Sequence, residues 1–296
     1  MDAEPRFVEV PSGETIAYRA REGGEVPVVL LHGNMTSSVH MDVLFERMDA
    51  RYALYAIDLR GFGESSYGTP VDSLADFAGD VAAVVDAIGL DTFHLLGWST
   101  GGGVAMEYAA AHPDRVERIV LVAPVSTRGY PIYRKDEDGR PTDEPLTTRE
   151  EIAADPVQVA PVQRAYDEAD RDALKAIWEA LIYTHETPDD ERYERYVDDM
   201  LTQRNLADVD YALAHFNVSD RENDYGEGSG RAADVTQPTL VLRGDRDLVI
   251  SAEMAAETVE DLPNARLVEL EDCGHSPFVD APERVVAEIE AFLSSP

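Results

Sequence analysis

Short apolar runs alternating with amphipathic helical patterns fill the first 125 residues, and no other feature of this 296-residue chain constrains its fold as strongly. Val28–Leu31, Tyr52–Ile57, Phe93–Gly97 and Arg118–Val122 have strand length and are apolar enough to be buried on both faces. Between them, Val39–Met48, Leu74–Ile88 and Gly101–Ala111 carry helical spacing. Strand, helix and strand repeated in this way predict an α/β fold, a parallel sheet with crossover helices. Ahead of it, Phe7–Val10 and Thr15–Arg19 alternate around Pro11-Ser12-Gly13, which predicts a hairpin.

After Pro124 the pattern changes. Gly129–Pro145 is rich in proline, glycine and charge and is expected to be a loop. Glu150–Asp155, Pro161–Thr184, Asp189–Asn205 and Val209–Phe216 then read as helices with no strand between them. Asn223–Gly230 reads as a flexible exit. Strand signals return at Thr239–Leu242 and Ala265–Leu270, with helices at Ala252–Val259 and Pro282–Leu293. The expected organisation is an α/β body, residues 1–126 and 234–296, interrupted by a helical insert at 127–233.

Composition limits the function classes. Hydrophobic residues make up 44% of the chain, enough for a full core. The 59 acidic residues against 25 basic ones, net −34, exclude attraction to nucleic acid or anionic membrane. The acids are spread along the chain, and Lys135 and Lys175 are the only lysines, so the surface resembles that of proteins adapted to high salt. The start, MDAEPRFVEV, lacks the basic and apolar regions of a signal peptide, and no apolar run approaches the ~20 residues of a membrane helix. Cys273 is the only cysteine, which excludes an intrachain disulfide and suits a cytoplasmic setting.

Four blocks carry chemistry. Gly97-Trp98-Ser99-Thr100-Gly101 follows a buried strand and opens a helix through Gly101-Gly102-Gly103. A sharp strand-to-helix turn needs small neighbours, lifts the Ser99 hydroxyl above the sheet and sets it at a helix N-terminus. Serine needs a base, and His275 in Gly274-His275-Ser276-Pro277 follows the last strand, at the same sheet edge as Ser99. His94 lies inside a strand and His112 at a helix end, positions that suit structure. The strand Thr239–Leu242 runs into Gly244-Asp245-Arg246-Asp247, which offers Asp247, with Asp245 as the alternative, to orient the base. The His32-Gly33-Asn34 turn supplies one expected oxyanion donor, the Asn34 N–H, and the Thr100 N–H supplies the other. The Asn34 side chain is a further candidate donor, and His32 reads as a brace.

These blocks, together with Asp58-Leu59-Arg60-Gly61-Phe62-Gly63-Glu64-Ser65, stand in the order found in the α/β-hydrolase superfamily, which the chain resembles from about Phe7 to Leu293. The resemblance implies an eight-stranded, mostly parallel sheet with helices on both faces and a helical cap insertion. It also places Asp58 and Arg60 in hydrogen-bonded scaffolding, and puts the triad acid after the strand that follows the cap, which favours Asp247. Serine at position 99 argues against the dehalogenase and epoxide-hydrolase branches, whose nucleophile is aspartate. Esterases, lactonases, haloperoxidase-like hydrolases and carbon–carbon bond hydrolases remain.

The reading is a serine hydrolase that cleaves a small carboxylic ester or lactone through an acyl-enzyme. The alternatives are carbon–carbon bond or amide hydrolysis, or a small-molecule binding protein on the same scaffold. No metal or cofactor is implied, since Cys273 and His275 in one turn are too few ligands. Trp98, Tyr130, Trp178 and His215 are candidate substrate-binding residues, with Tyr133, Tyr183 and Phe216 as further aromatic candidates.

Overall fold

The computed structural model describes residues 3–295. Eight strands form one sheet in the order β1-β2-β4-β3-β5-β6-β9-β10. They are β1 (Arg6–Glu9), β2 (Thr15–Arg21), β3 (Val26–Leu31), β4 (Tyr52–Ile57), β5 (Phe93–Trp98), β6 (Val116–Val122), β9 (Thr239–Gly244) and β10 (Ala265–Leu270). β2 runs antiparallel to both its neighbours, and from β4 to β10 all adjacent strands are parallel. The expected hairpin is therefore β1–β2.

Strand alternation feeds two cores. On β3, Val28 and Leu30 face one hydrophobic cluster while Val29 and Leu31 face the other. Leu96 and Trp98 of β5 join the first cluster, and Phe93 and Leu95 the second. Helices α1 (Asp42–Arg47) and α11 (Pro282–Leu293) cover the first face, while α2 (Leu74–Ala87) and α3 (Thr100–Ala111) cover the second. Burial on both faces explains why these strands are continuously apolar.

The chain between β6 and β9 adds no strand to this sheet. It holds α4 (Arg149–Ala153), α5 (Ala160–Asp167), α6 (Arg171–Leu181), α7 (Asp190–Met200) and α8 (Leu206–His215). Two expectations change here. The segment read as a loop contains a hairpin of β7 (Tyr133–Lys135) and β8 (Pro141–Pro145), and its largely exposed strands carry no hydrophobic alternation to announce it. The single helix read over 161–184 is two, α5 and α6, broken at Ala169, whose φ of +51° lies in the left-handed region. Asp170 then caps α6 by accepting the Ala173 N–H at 3.0 Å.

The insertion has no core of its own. Ile152, Val162, Leu174, Trp178, Tyr196 and Val197 belong to the same cluster as the first sheet face. Buried polar groups also tie α7 to the body: Asp199 binds His40 Nδ1 at 2.9 Å, and Tyr196 donates to Asp42 at 2.5 Å. Among the described residues, no helix is long and apolar enough to cross a membrane.

Candidate active site

In-register parallel pairing decides where the loops meet. Leu31 pairs with Gly97, Gly97 with Leu121, Val122 with Leu242, and Gly244 with Leu270, so the strands end along one edge. β4 and β5 lie on opposite sides of β3, and at such a switch point the following loops diverge and leave a crevice. The loops after β3 and β5 carry Asn34 and Ser99 there.

Ser99 sits between β5 and α3 with φ +54° and ψ −118°, a strained conformation for a residue with a Cβ. Close approach makes its glycine neighbours necessary: a Cβ on Gly97 would strike the Gly101 carbonyl, and one on Gly101 would strike the Leu31 carbonyl. The Ser99 N–H is held by Val122 O at 2.9 Å, and its carbonyl accepts from Gly102 and Val125. The surrounding backbone therefore holds the strained geometry in place.

His275 follows β10. Its Nε2 lies 3.1 Å from Ser99 Oγ, and its Nδ1 lies 2.9 Å from Asp247 Oδ2 and 3.2 Å from Oδ1. Asp247 Oδ1 also accepts the N–H groups of Val249 and Ile250, at 2.8 and 2.9 Å. Burial pushes the Asp247 carboxyl up, but His275 and these two amides outweigh it and hold it below the ordinary carboxylate range. It is an anion that fixes the imidazole. Asp245, the alternative, is exposed, and its Oδ1 accepts the Cys273 N–H at 3.1 Å. It shapes the loop that carries His275 and does not bind the imidazole.

Behind Ser99, a Cβ on Gly33 would lie 3.1 Å from the Ser99 Cβ, so the two loops touch. The Asn34 and Thr100 amides, the expected donors, have no acceptor among the described residues. The Asn34 side chain is partly committed: one N–H of its Nδ2 donates to Asp210 Oδ1 at 3.1 Å, and its Oδ1 accepts Met35 N–H at 3.0 Å and Gln203 Nε2 at 2.8 Å, which leaves one N–H of Nδ2 as a donor. His32 is a brace, with Nδ1 2.8 Å from Gly33 O and Nε2 accepting Leu59 N–H at 2.9 Å. Burial holds its pKa down, which suits a neutral ring protonated on Nδ1. Asp58 accepts Ser38 N–H and Glu64 N–H, and Arg60 forms a bidentate pair with Asp80 at 2.7 and 2.8 Å. Both residues hold loops.

The candidate substrate-binding residues separate into different places. Tyr130, half-buried on the loop after β6, donates its N–H to Leu213 O at 2.9 Å, and its phenol is pushed up to about 12 by burial first and then by the charges of Asp210 and Asp247. Trp98 is 2% exposed, packs edge-on to Phe278 and donates from Nε1 to His275 O at 3.0 Å, so it supports the histidine loop from below. Trp178, also 2% exposed, packs between His40 and Tyr183 in the shared core. His215 lines an outer cavity of about 300 Å³ with Leu74, Phe216 and Arg231, and Ser99, Asp247 and His275 are not part of its lining. Tyr133 binds Asp224 on the hairpin at 2.6 Å. Cys273 is buried and its thiol is pushed up to about 12, mainly by burial, so it is an inert packing group.

Sequence reasoning missed the polar network behind Asn34. Gln203 links Asn34 to Tyr166 and Asn205, and Asp210 on α8 closes the network. Asp210 is one of 59 acids, and nothing in its local pattern marks it out.

Residues 26–282 match the family model of the alpha/beta hydrolase fold. The chain belongs to the α/β-hydrolase fold family. It is a hydrolase, and several of the curated relatives that it matches are enzymes of similar length. It is 28% identical to a pimeloyl-[acyl-carrier protein] methyl ester esterase of Nitrosomonas europaea, over 91% of this chain and 96% of the relative. It is 26% identical to a 2-hydroxy-6-oxononadienedioate/2-hydroxy-6-oxononatrienedioate hydrolase of Cupriavidus pinatubonensis, over 91% and 88%. The crystal structure of an esterase from Rhodococcus sp. ECU1013 superposes on this α/β hydrolase with a TM-score of 0.72 and 30% identity, covering 98% of each chain.

Proposed function

We propose that this hydrolase cleaves a small carboxylic ester or lactone by acyl transfer, with Ser99 as nucleophile, His275 as general base and Asp247 as the acid that orients it. The carrying observation is the unbroken chain from Ser99 Oγ to His275 Nε2, at 3.1 Å, and from His275 Nδ1 to Asp247, at 2.9 Å. Ser99 Oγ bonds to the carbonyl carbon while its proton passes to Nε2. The carbonyl oxygen takes the negative charge between the Asn34 and Thr100 amides, which have no acceptor among the described residues. Collapse breaks the bond to the alcohol oxygen, which leaves with the proton from Nε2. Water, deprotonated by His275, then bonds to the acyl carbon, and collapse breaks the bond to Ser99 Oγ, which takes the proton back from Nε2 as the acid is released. The insertion acts as a cap over this crevice.

An esterase among the relatives supports this reading. The relative named for a dienedioate favours carbon–carbon hydrolysis as the second reading. A panel of p-nitrophenyl esters, lactones and a vinylogous diketone decides between them. Turnover of esters by the wild type, abolished in Ser99→Ala, is the expected result. Turnover of the diketone alone would establish the second reading.

A further inference from the structure

Asp210 is a carboxyl group close to the proposed site that the acyl transfer leaves unused. It projects from cap helix α8 and is fixed at one end, where Oδ1 accepts Asn34 Nδ2 at 3.1 Å. Asn34 is itself locked by Met35 N–H and by Gln203, which Tyr166 and Asn205 hold in turn. The other oxygen, Oδ2, takes no hydrogen bond among the described residues, and the residue is only half-buried. The bond to Asn34 places Asp210 one residue's reach from the turn that touches Ser99. Gly33, next to Asn34, abuts Ser99, and the charges of Asp210 and Asp247 both act on the Tyr130 phenol.

We infer that Asp210 determines specificity: its free carboxylate oxygen binds a positively charged or hydroxyl-bearing group on the substrate and repels a carboxylate. An ionised carboxylate can only accept hydrogen bonds, so its natural partner is a donor or a cation. A pocket already containing this group disfavours a dianionic substrate. The inference rests on the ester reading and narrows it to neutral or cationic esters.

The preference depends on pH. Burial, and then the charge of Asp155 on the turn after α4, push the Asp210 carboxyl up to about 7, against the lowering effect of the Asn34 hydrogen bond. Asp155 is held ionised by backbone amides and by Lys135 at 2.9 Å, against the effect of its burial. The other titratable groups facing Asp210 are Tyr130, from the loop after β6, and Tyr166, from α5. Burial raises both, Tyr130 to about 12, so neither ionises in the window where Asp210 does.

The test measures kcat/KM for three p-nitrophenyl esters of matched length: butanoate, hemisuccinate and 4-trimethylammoniobutanoate. Wild type and Asp210→Asn are compared from pH 6 to pH 8.5. At pH 8 the wild type should prefer the cationic ester over the anionic one at least ~10-fold, mostly through KM, as expected for a unit charge a few ångströms from a shielded carboxylate. Asp210→Asn retains an oxygen for Asn34 and should bring that ratio close to one. The wild-type ratio, which needs no variant, should fall as the pH drops below 7. A ratio that is flat with pH, or equal in both proteins, overturns the inference while leaving the ester reading intact. A wild type that hydrolyses none of the three overturns the ester reading, and this inference with it.

Discussion

The turn around Ser99 and the insertion after β6 are built by opposite rules. At the turn, backbone packs on backbone: Gly97 and Gly101 have no room for a Cβ, and the Gly33 loop touches Ser99. Few residue types meet those contacts, so the local sequence is almost dictated. In the insertion, helices pack through large side chains such as Trp178, Tyr193 and Tyr196 into a core shared with the sheet. Many combinations of apolar residues satisfy that requirement. Where the chain breaks direction there, at Ala169, it does so in a left-handed conformation without glycine. Constraint at the turn concentrates chemistry, and latitude in the insertion lets it vary the pocket.

Substitutions can break or sharpen this contrast. Ser99→Ala should lower ester kcat/KM by at least ~10³-fold while the circular dichroism spectrum stays unchanged. Residual turnover within tenfold of wild type would remove Ser99 from the chemistry. The next effect separates two neighbouring acids. Asp247→Asn should cost ~10²–10⁴-fold in kcat, because the amide no longer fixes the tautomer of His275. Asp245→Asn, which keeps an acceptor for the Cys273 amide, should stay within about tenfold. Equal losses would make the loop, not the carboxylate, the relevant element.

Gly101→Ala should destabilise the fold by about 3 kcal/mol or more, because its Cβ would meet the Leu31 carbonyl. A melting temperature within two or three degrees of wild type would show that the turn can relax. The mirror change in the insertion is the smallest. Ala169→Gly should be neutral or stabilising by up to ~1 kcal/mol, since glycine adopts its φ of +51° without steric cost. Urea midpoints measure the difference, and a clear loss of stability would mean that the Ala169 methyl packs better than its backbone suggests.

The body was legible in the chain because its signals are local. Apolar runs of strand length stand out against helical spacing, and the blocks at His32, Ser99, Asp247 and His275 lie where strands end. The insertion was less legible. Helix spacing over 161–184 continues through a break that no glycine or proline marks, and the β7–β8 hairpin is polar on both sides. Aromatic residues offered no way to tell packing from pocket lining. Trp98 and Trp178 both proved to be buried supports, while Tyr130 is half-buried and feels the charges of Asp210 and Asp247.

By itself, the sequence determined the fold class and pointed to the residues proposed as nucleophile, base and acid, because strained turns and buried strands tolerate few alternatives. Only the tertiary structure set Asp247, and not Asp245, against His275 and joined the Asn34 side chain to Asp210. Each of those outcomes depends on a contact between segments distant in the chain, 28 residues apart for the Asp247–His275 pair and 176 for Asn34 and Asp210. In a chain with 59 acids, no local pattern can single out the carboxylate that such a contact will use.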